Sequence, residues 1–154
     1  MNSIIYLDNA ATTPVVQPVI DAMVPYFGEH YGNPSSIFYS VGAEAGSALS
    51  AARESVARSL GCEPSEVFFT SCGSEADNWA LKGTAHRLGA KGKKHLITSC
   101  IEHHAILHTM KALEKDGFEV TYLPVDLEGF VNPADVKAAI RPDTALVSNM
   151  YANN

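Results

Sequence analysis

Two hydrophobic rhythms run along the chain, one at helical spacing and one at strand spacing. Val16, Val19, Ile20, Met23 and Phe27 recur at near-helical intervals, which predicts a helix ending near Phe27. Thr13 followed by Pro14 predicts its N-cap and first turn. Before it, Ile4 to Leu7 is a short apolar segment closed by the polar turn Asp8-Asn9. Gly28 to Ser36 reads as a loop by composition, through Gly32-Asn33-Pro34-Ser35-Ser36. A helix rich in Ala, Ser and Gly then runs from about Val41 to Leu60, and its small side chains permit another element to approach closely. Gly61 falls where a left-handed C-cap belongs.

Beyond Gly61 the pattern alternates. Val67-Phe68-Phe69-Thr70 reads as a strand and Ser74 to about Leu88 as a helix. His95 to Ser99 is the next strand, followed by a helix from about His103 to Lys115 that Gly117 ends. Phe118 to Leu123 alternates with period two, a strand signal. Asn132-Pro133-Ala134-Asp135 caps a short helix to about Ile140, and Thr144 to Ser148 is the last strand. Such alternation predicts an α/β fold with a mostly parallel sheet and helices on both faces. Ligands of such sheets sit beyond the carboxyl ends of the strands, so the turns after Thr70, Ser99 and Ser148 are expected to share one edge.

Composition narrows the class of partner. At 154 residues, with 46% apolar and 18% charged side chains, the chain suits one folded domain with a real core. The net charge is −6 and no basic stripe occurs, which argues against nucleic acid as a partner. No apolar run approaches the ~20 residues of a membrane span, and the first residues lack the pattern of a signal peptide. The expected setting is cytoplasmic, without membrane contact. Cys62, Cys72 and Cys100 have neither disulfide nor metal spacing and read as reduced thiols.

The segment with most chemical content is Phe68-Phe69-Thr70-Ser71-Cys72-Gly73-Ser74-Glu75-Ala76-Asp77-Asn78. A Gly/Ser turn opening a helix leaves backbone N–H groups free where the helix dipole favours an anion. Gly73 permits close approach, Ser71 and Ser74 can add donors, and Ser74 with Asp77 fits a capping box. An ordinary capped turn accounts for the same residues. No nucleotide P-loop and no Gly-x-Gly-x-x-Gly occurs. A phosphate held by backbone dipoles without a Lys or Mg²⁺ suits a phosphorylated cofactor better than a triphosphate. The second constellation is Glu102-His103-His104-Ala105-Ile106-Leu107-His108. A His at a helix N-terminus is biased toward the neutral form, which can stack on an aromatic ring and exchange a proton near pH 7; a helix-capping His is the plainer alternative. His104 and His108 lie one turn apart near Cys100 but lack an acidic partner, so no metal site is assigned.

These segments, with Tyr6-Leu7-Asp8-Asn9-Ala10-Ala11-Thr12-Thr13-Pro14, Tyr31-Gly32-Asn33-Pro34-Ser35-Ser36, Gly117 to Leu123 and Leu146 to Asn154, resemble the cysteine desulfurases of the NifS/IscS type. Those belong to the class V aminotransferase family within the fold-type I pyridoxal-phosphate enzymes. The resemblance covers essentially the whole chain, in order. It implies pyridoxal 5'-phosphate as cofactor, with the phosphate on the Gly73 and Ser74 backbone and the pyridine ring under a stacking, proton-moving His103. It also implies Asn154 as a contact to cofactor or substrate, and a substrate pocket near Ala11 and Thr12. The implied parent converts L-cysteine to L-alanine, passes persulfide sulfur to an iron–sulfur scaffold or another acceptor protein, and works as a homodimer. Cys72 stands where the family usually has Gly and is not assigned the sulfur-transfer role.

The same resemblance places the Schiff-base Lys, the Asp for the pyridine nitrogen, the substrate Arg and the persulfide Cys after residue 154. Lys82, Lys91, Lys93, Lys94, Lys111, Lys115 and Lys137 all fall on predicted helices or a charged turn. The expected organisation is an N-terminal arm over 1–15 and an incomplete cofactor-binding large domain over 16–154, inactive by itself. Another class V enzyme such as a selenocysteine lyase, or a non-catalytic phospholigand-binding or partner subunit, remains an alternative.

Overall fold

The computed structural model describes residues 4–153. They form two compact units, one up to Phe69 and one from Thr70 onward.

In the first unit, helix α1 spans Gln17–Met23 and continues as a 3-10 turn over Val24–Phe27. Its N-cap is Val16, without a side-chain hydrogen bond, and Pro18 sits in its first turn. The expected start at Thr13 is therefore too early: a Thr-Pro pair signals a cap only if the following residues take helical angles, and Val16 is extended. Helix α2 spans Ser40–Leu60 and ends on Gly61 at φ +69°, the left-handed cap its sequence announces. The small-residue face of α2 is used as well. A Cβ on Gly42 would run into the Ser36 carbonyl, so the Gly32–Ser36 loop lies directly on the first turn.

Val67 to Phe69 is extended but is not a strand of the sheet, contrary to the reading of Val67–Thr70. Arg53 holds this segment instead: its Nε donates to the Val67 carbonyl at 3.1 Å, and its guanidinium lies 5.4 Å from the Phe69 ring centroid. An apolar run of four residues has the composition of a strand, but ladder partners are a tertiary matter.

The second unit contains the sheet and the core. Helix α3 spans Gly73–Gly89, β1 His95–Ser99, α4 His104–Lys115, β2 Glu119–Leu123, α5 Pro133–Ala139 and β3 Thr144–Ser148. The strands are parallel in the order β2-β1-β3. The central strand β1 is buried along its whole length, as a strand covered on both faces must be. Leu96 pairs with Val120 on one side and Leu146 on the other, and Ala145 forms a bulge. This face meets Leu81 and Ala85 of α3, Ile106, Met110 and Leu113 of α4, and Phe118. The chain steps from β1 to β2, then back past β1 to β3. Right-handed crossovers in both directions put α4 and α5 on opposite faces, and α5 packs on β2. All three strands thus end on the same edge, as do the N-termini of α3 and α4. The expected α/β architecture holds; Ser99 and Ser148 share the carboxyl edge, and Thr70 contributes no strand end to it.

The opposite edge carries an unforeseen polar clamp. His95, fully buried, meets Thr144 Oγ1 through Nδ1 and Thr121 Oγ1 through Nε2, both at 2.8 Å. One imidazole thereby ties the central strand to both neighbours. Burial, and then the nearby Arg141 charge, push its pKa below the usual value, against smaller opposing effects of Glu119 and Asp143. The unfolded chain takes up this proton near pH 6.5 and the folded chain only at lower pH. Stability therefore falls as pH drops below about 6.5, and is flat in this respect above pH 7. Urea midpoints at pH 5.5 and 7.5 should differ, and His95→Gln should shrink the difference.

Candidate cofactor site

The first turn of α3 is an open set of donors. Its N-cap, Cys72, is extended and makes no capping hydrogen bond through its side chain. The first intrahelical bond runs from Ala76 N–H to the Cys72 carbonyl at 3.1 Å, so the N–H groups of Gly73, Ser74 and Glu75 precede the helical ladder. A Cβ on Gly73 would meet nothing within 4 Å, so there is room directly above this turn. The expected Ser74–Asp77 capping box is replaced by a different brace. Glu75 reaches back, accepting from Ser71 N–H at 2.6 Å and Ser71 Oγ at 2.7 Å. Those two bonds, the backbone one first, hold the Glu75 carboxyl below its usual pKa. The carboxylate thus freezes the turn before the helix without taking the N–H groups of Gly73 and Ser74.

Cys72 reports on the same donors. Its exposed thiol is held below the usual cysteine value, chiefly by the Glu75 backbone N–H, then by the Ser71 hydroxyl, and to a smaller degree by the Ser74 backbone N–H. A side chain gains thiolate character here because unsatisfied N–H groups and the helix dipole favour negative charge. A phosphate would draw on the same field.

Helix α4 begins at the neighbouring strand end. His103 is its N-cap, and Nδ1 accepts from Ala105 N–H at 3.1 Å. That bond requires a lone pair on Nδ1 and leaves the ring proton of the neutral imidazole on Nε2, the nitrogen away from the helix. The His103 side chain is exposed, so the capping and stacking readings are compatible: one edge of the ring caps, while its face is accessible. His104 stacks on His108 with centroids 5.3 Å apart.

The two helix starts are held at a common level. Thr109 Oγ1 donates to Asn78 Oδ1 at 2.8 Å, and Asn78 Nδ2 donates to the Ser74 carbonyl at 2.9 Å. Both residues lie about one and a half turns into their helices, so the bond links the first turn of α3 to α4 and sets the anion donors beside the His103 helix. Beyond β3, Met150 N–H donates to Glu102 Oε1 at 2.7 Å and Asn153 Nδ2 to the Ile101 carbonyl at 2.6 Å. Asn154, expected to contact cofactor or substrate, lies outside the described residues. Asn78, Thr109 and Glu102 carry no local signal of their role, since each acts through a partner distant in sequence. Glu75 alone could have been found, as an acid at the third position of a helix.

A parallel sheet with two helix N-termini at its carboxyl edge, one lacking a side-chain cap, is an α/β domain whose edge favours an anionic group. The donor set, neutral N–H groups with open space above Gly73 and a flat accessible imidazole, fits a phosphorylated aromatic cofactor. The chain belongs to the aminotransferase class-V family, whose model matches residues 5–154. It is 55% identical over 153 residues to cysteine desulfurase IscS of Methanosarcina thermophila, a match covering 99% of this chain and 37% of that protein. Identity to cysteine desulfurase IscS of Clostridium botulinum (strain Kyoto / Type A2) is also 55%, over 154 residues, 100% of this chain and 38% of that one. The chain therefore spans little more than a third of the length of these curated relatives. Among solved structures, a NifS-like protein superimposes with a TM-score of 0.90 at 46% identity, covering 95% of this chain and 40% of that one. SspA in complex with cysteine superimposes at 0.89 and 42% identity, covering 96% and 42%. The resemblance to NifS/IscS-type desulfurases and the fold-type I architecture are both borne out.

Proposed function

We propose that this chain forms the phosphate cup and one ring face of a pyridoxal-phosphate-dependent cysteine desulfurase. Its whole protein converts L-cysteine and an enzyme thiol to L-alanine and an enzyme persulfide. The observation that carries the reading is the α3 N-terminus: the N–H groups of Gly73 and Ser74 precede the helical ladder, under open space, on the same sheet edge as an exposed His103. The names of the relatives agree with it, and one structural neighbour was solved with cysteine. Bound pyridoxal phosphate supplies an electron sink for the pair released when a proton leaves the substrate Cα.

The chain's own residues do the rest of what lies at this edge. The Gly73 and Ser74 backbones bind the phosphate through N–H donors and the helix dipole. His103 covers the ring and presents Nε2–H as a hydrogen-bond donor; to take up a proton and later return it, the ring must release the Ala105 N–H from Nδ1. Asn154 completes the contact to cofactor or substrate. The homodimer, the sulfur-acceptor protein and a cytoplasmic setting belong to the same proposal. Among the described residues no helix is long and apolar enough to cross a membrane.

Because the Cys72 sulfur and a bound phosphate both draw on the Ser74 N–H at the same helix start, alkylation of Cys72 reads the site directly. Pyridoxal phosphate should slow its modification by iodoacetamide, pyridoxal without the phosphate should not, and Cys72→Ser should remove the labelled product. An alkylation rate indifferent to saturating pyridoxal phosphate would overturn the cup. A full-length protein that forms no alanine from L-cysteine would overturn the activity.

A further inference from the structure

Glu102 is a charged side chain only 5% exposed, among the few polar groups in the interior of the second unit. Its Oε1 accepts two hydrogen bonds, from Ser99 Oγ at 2.8 Å and from Met150 N–H at 2.7 Å. Ser99 is the last residue of β1, and Met150 lies just past the end of β3. The ladder between these strands runs out at Thr98 and Ser148. Past that point a backbone N–H in the interior must find another acceptor, and the one it finds is a carboxylate.

A charge-assisted bond to a backbone N–H is shorter and about twice as strong as a neutral one. The second tie between the same loops, Asn153 Nδ2 to the Ile101 carbonyl, joins the residue before Glu102 to one three residues past Met150. Residues 101–102 are thus joined to 150–153, and the residue following Glu102 is His103, whose side chain caps α4.

We propose that Glu102 is a positioning residue, a buried brace that fixes the segment after β3 against the loop carrying His103. With this brace in place the His103 loop and the segment past β3 keep one arrangement at the carboxyl edge. The assignment rests on the pyridoxal-phosphate reading of this edge. Its chemistry follows from the acceptor alone: a carboxylate takes the Met150 N–H and the Ser99 hydroxyl on one oxygen, and Gln can do so through its amide oxygen. Ala can do neither, and Asp withdraws the acceptor by one methylene.

The test uses the full-length protein with and without pyridoxal phosphate. In Glu102→Ala, exchange of the Met150 amide should quicken by at least about tenfold, the scale of one lost charge-assisted hydrogen bond. The His103 ring nitrogens should shift in the NMR spectrum, and the visible circular dichroism of bound cofactor should change. Its kcat should fall while phosphate-driven cofactor affinity, set at α3, stays within about a factor of three of wild type. Glu102→Gln should restore the slow exchange, the ring shifts and the dichroism. If Glu102→Ala does not fold, Glu102→Asp supplies the same comparison. Wild-type Met150 exchange and His103 shifts in the Ala variant, or in Asp where Ala does not fold, would overturn the brace. So would a lost Met150 tie that leaves the cofactor dichroism and kcat untouched. A wild-type protein that binds no pyridoxal phosphate would overturn the proposed function instead, and exchange and ring shifts would still decide the brace.

Discussion

His103→Ala in the full-length protein should lower turnover of L-cysteine by about 10²- to 10⁴-fold, the usual contribution of a positioned acid–base group. The loss should fall on kcat, with cofactor affinity less affected, because the proposed phosphate site at Gly73 and Ser74 lies on a different helix. Two functions of the ring need separating. Ala also removes the acceptor that caps α4 at Ala105 N–H, which costs about 1 kcal/mol of stability. Asn is a good N-cap but has no aromatic face. His103→Asn should therefore recover the stability measured by urea unfolding without recovering turnover. Near-wild-type turnover in either variant would show that the ring does no more than cap the helix.

Leu96→Ala should destabilise the protein by about 2–5 kcal/mol in urea unfolding. Leu96 is fully buried at the centre of β1, flanked by Val120 and Leu146 and covered by α3 and α4. Removing it leaves a cavity with the sheet on one side and two helices on the other, a place with little freedom to collapse. Because domains are stable by only about 5–15 kcal/mol, this one change should take a large share of the total. Leu127 offers the matched comparison, being the same residue type fully exposed in the loop after β2. Leu127→Ala should change stability by no more than about 0.5 kcal/mol. Equal effects at the two positions would contradict the placement of the core.

Much of the second unit was legible because its signals are local. β1 and β3 match the expected residues to the position, Gly117 follows α4, and Asn132 caps α5 through a bond to Ala134 N–H. Periodicity, capping and glycine placement act over a few residues and survive in the sequence as pattern. The first unit was less legible. Val67–Thr70 has the composition of a strand but spends it on Arg53, and Thr13-Pro14 carries a cap signal that the extended Val16 defeats. At the site, the Gly73-Ser74 start of α3 and the capping position of His103 were legible from the turn and the helix start, and their cofactor roles belong to the proposal. Asn78, Thr109 and Glu102 could not, because the bonds that give them meaning span 31 and 48 residues.

By itself, then, the sequence placed the helices and strands of the second unit to within about one residue, with the Gly/Ser turn that opens α3 and the imidazole that stands at the start of α4. Each depends on near neighbours along the chain. The tertiary structure alone decided the strand order β2-β1-β3, the level at which α3 and α4 are tied, and the buried carboxylate joining two loops past the sheet. Those depend on which distant groups satisfy one another once water is excluded, since an interior N–H or hydroxyl must be paired wherever in the sequence its partner lies.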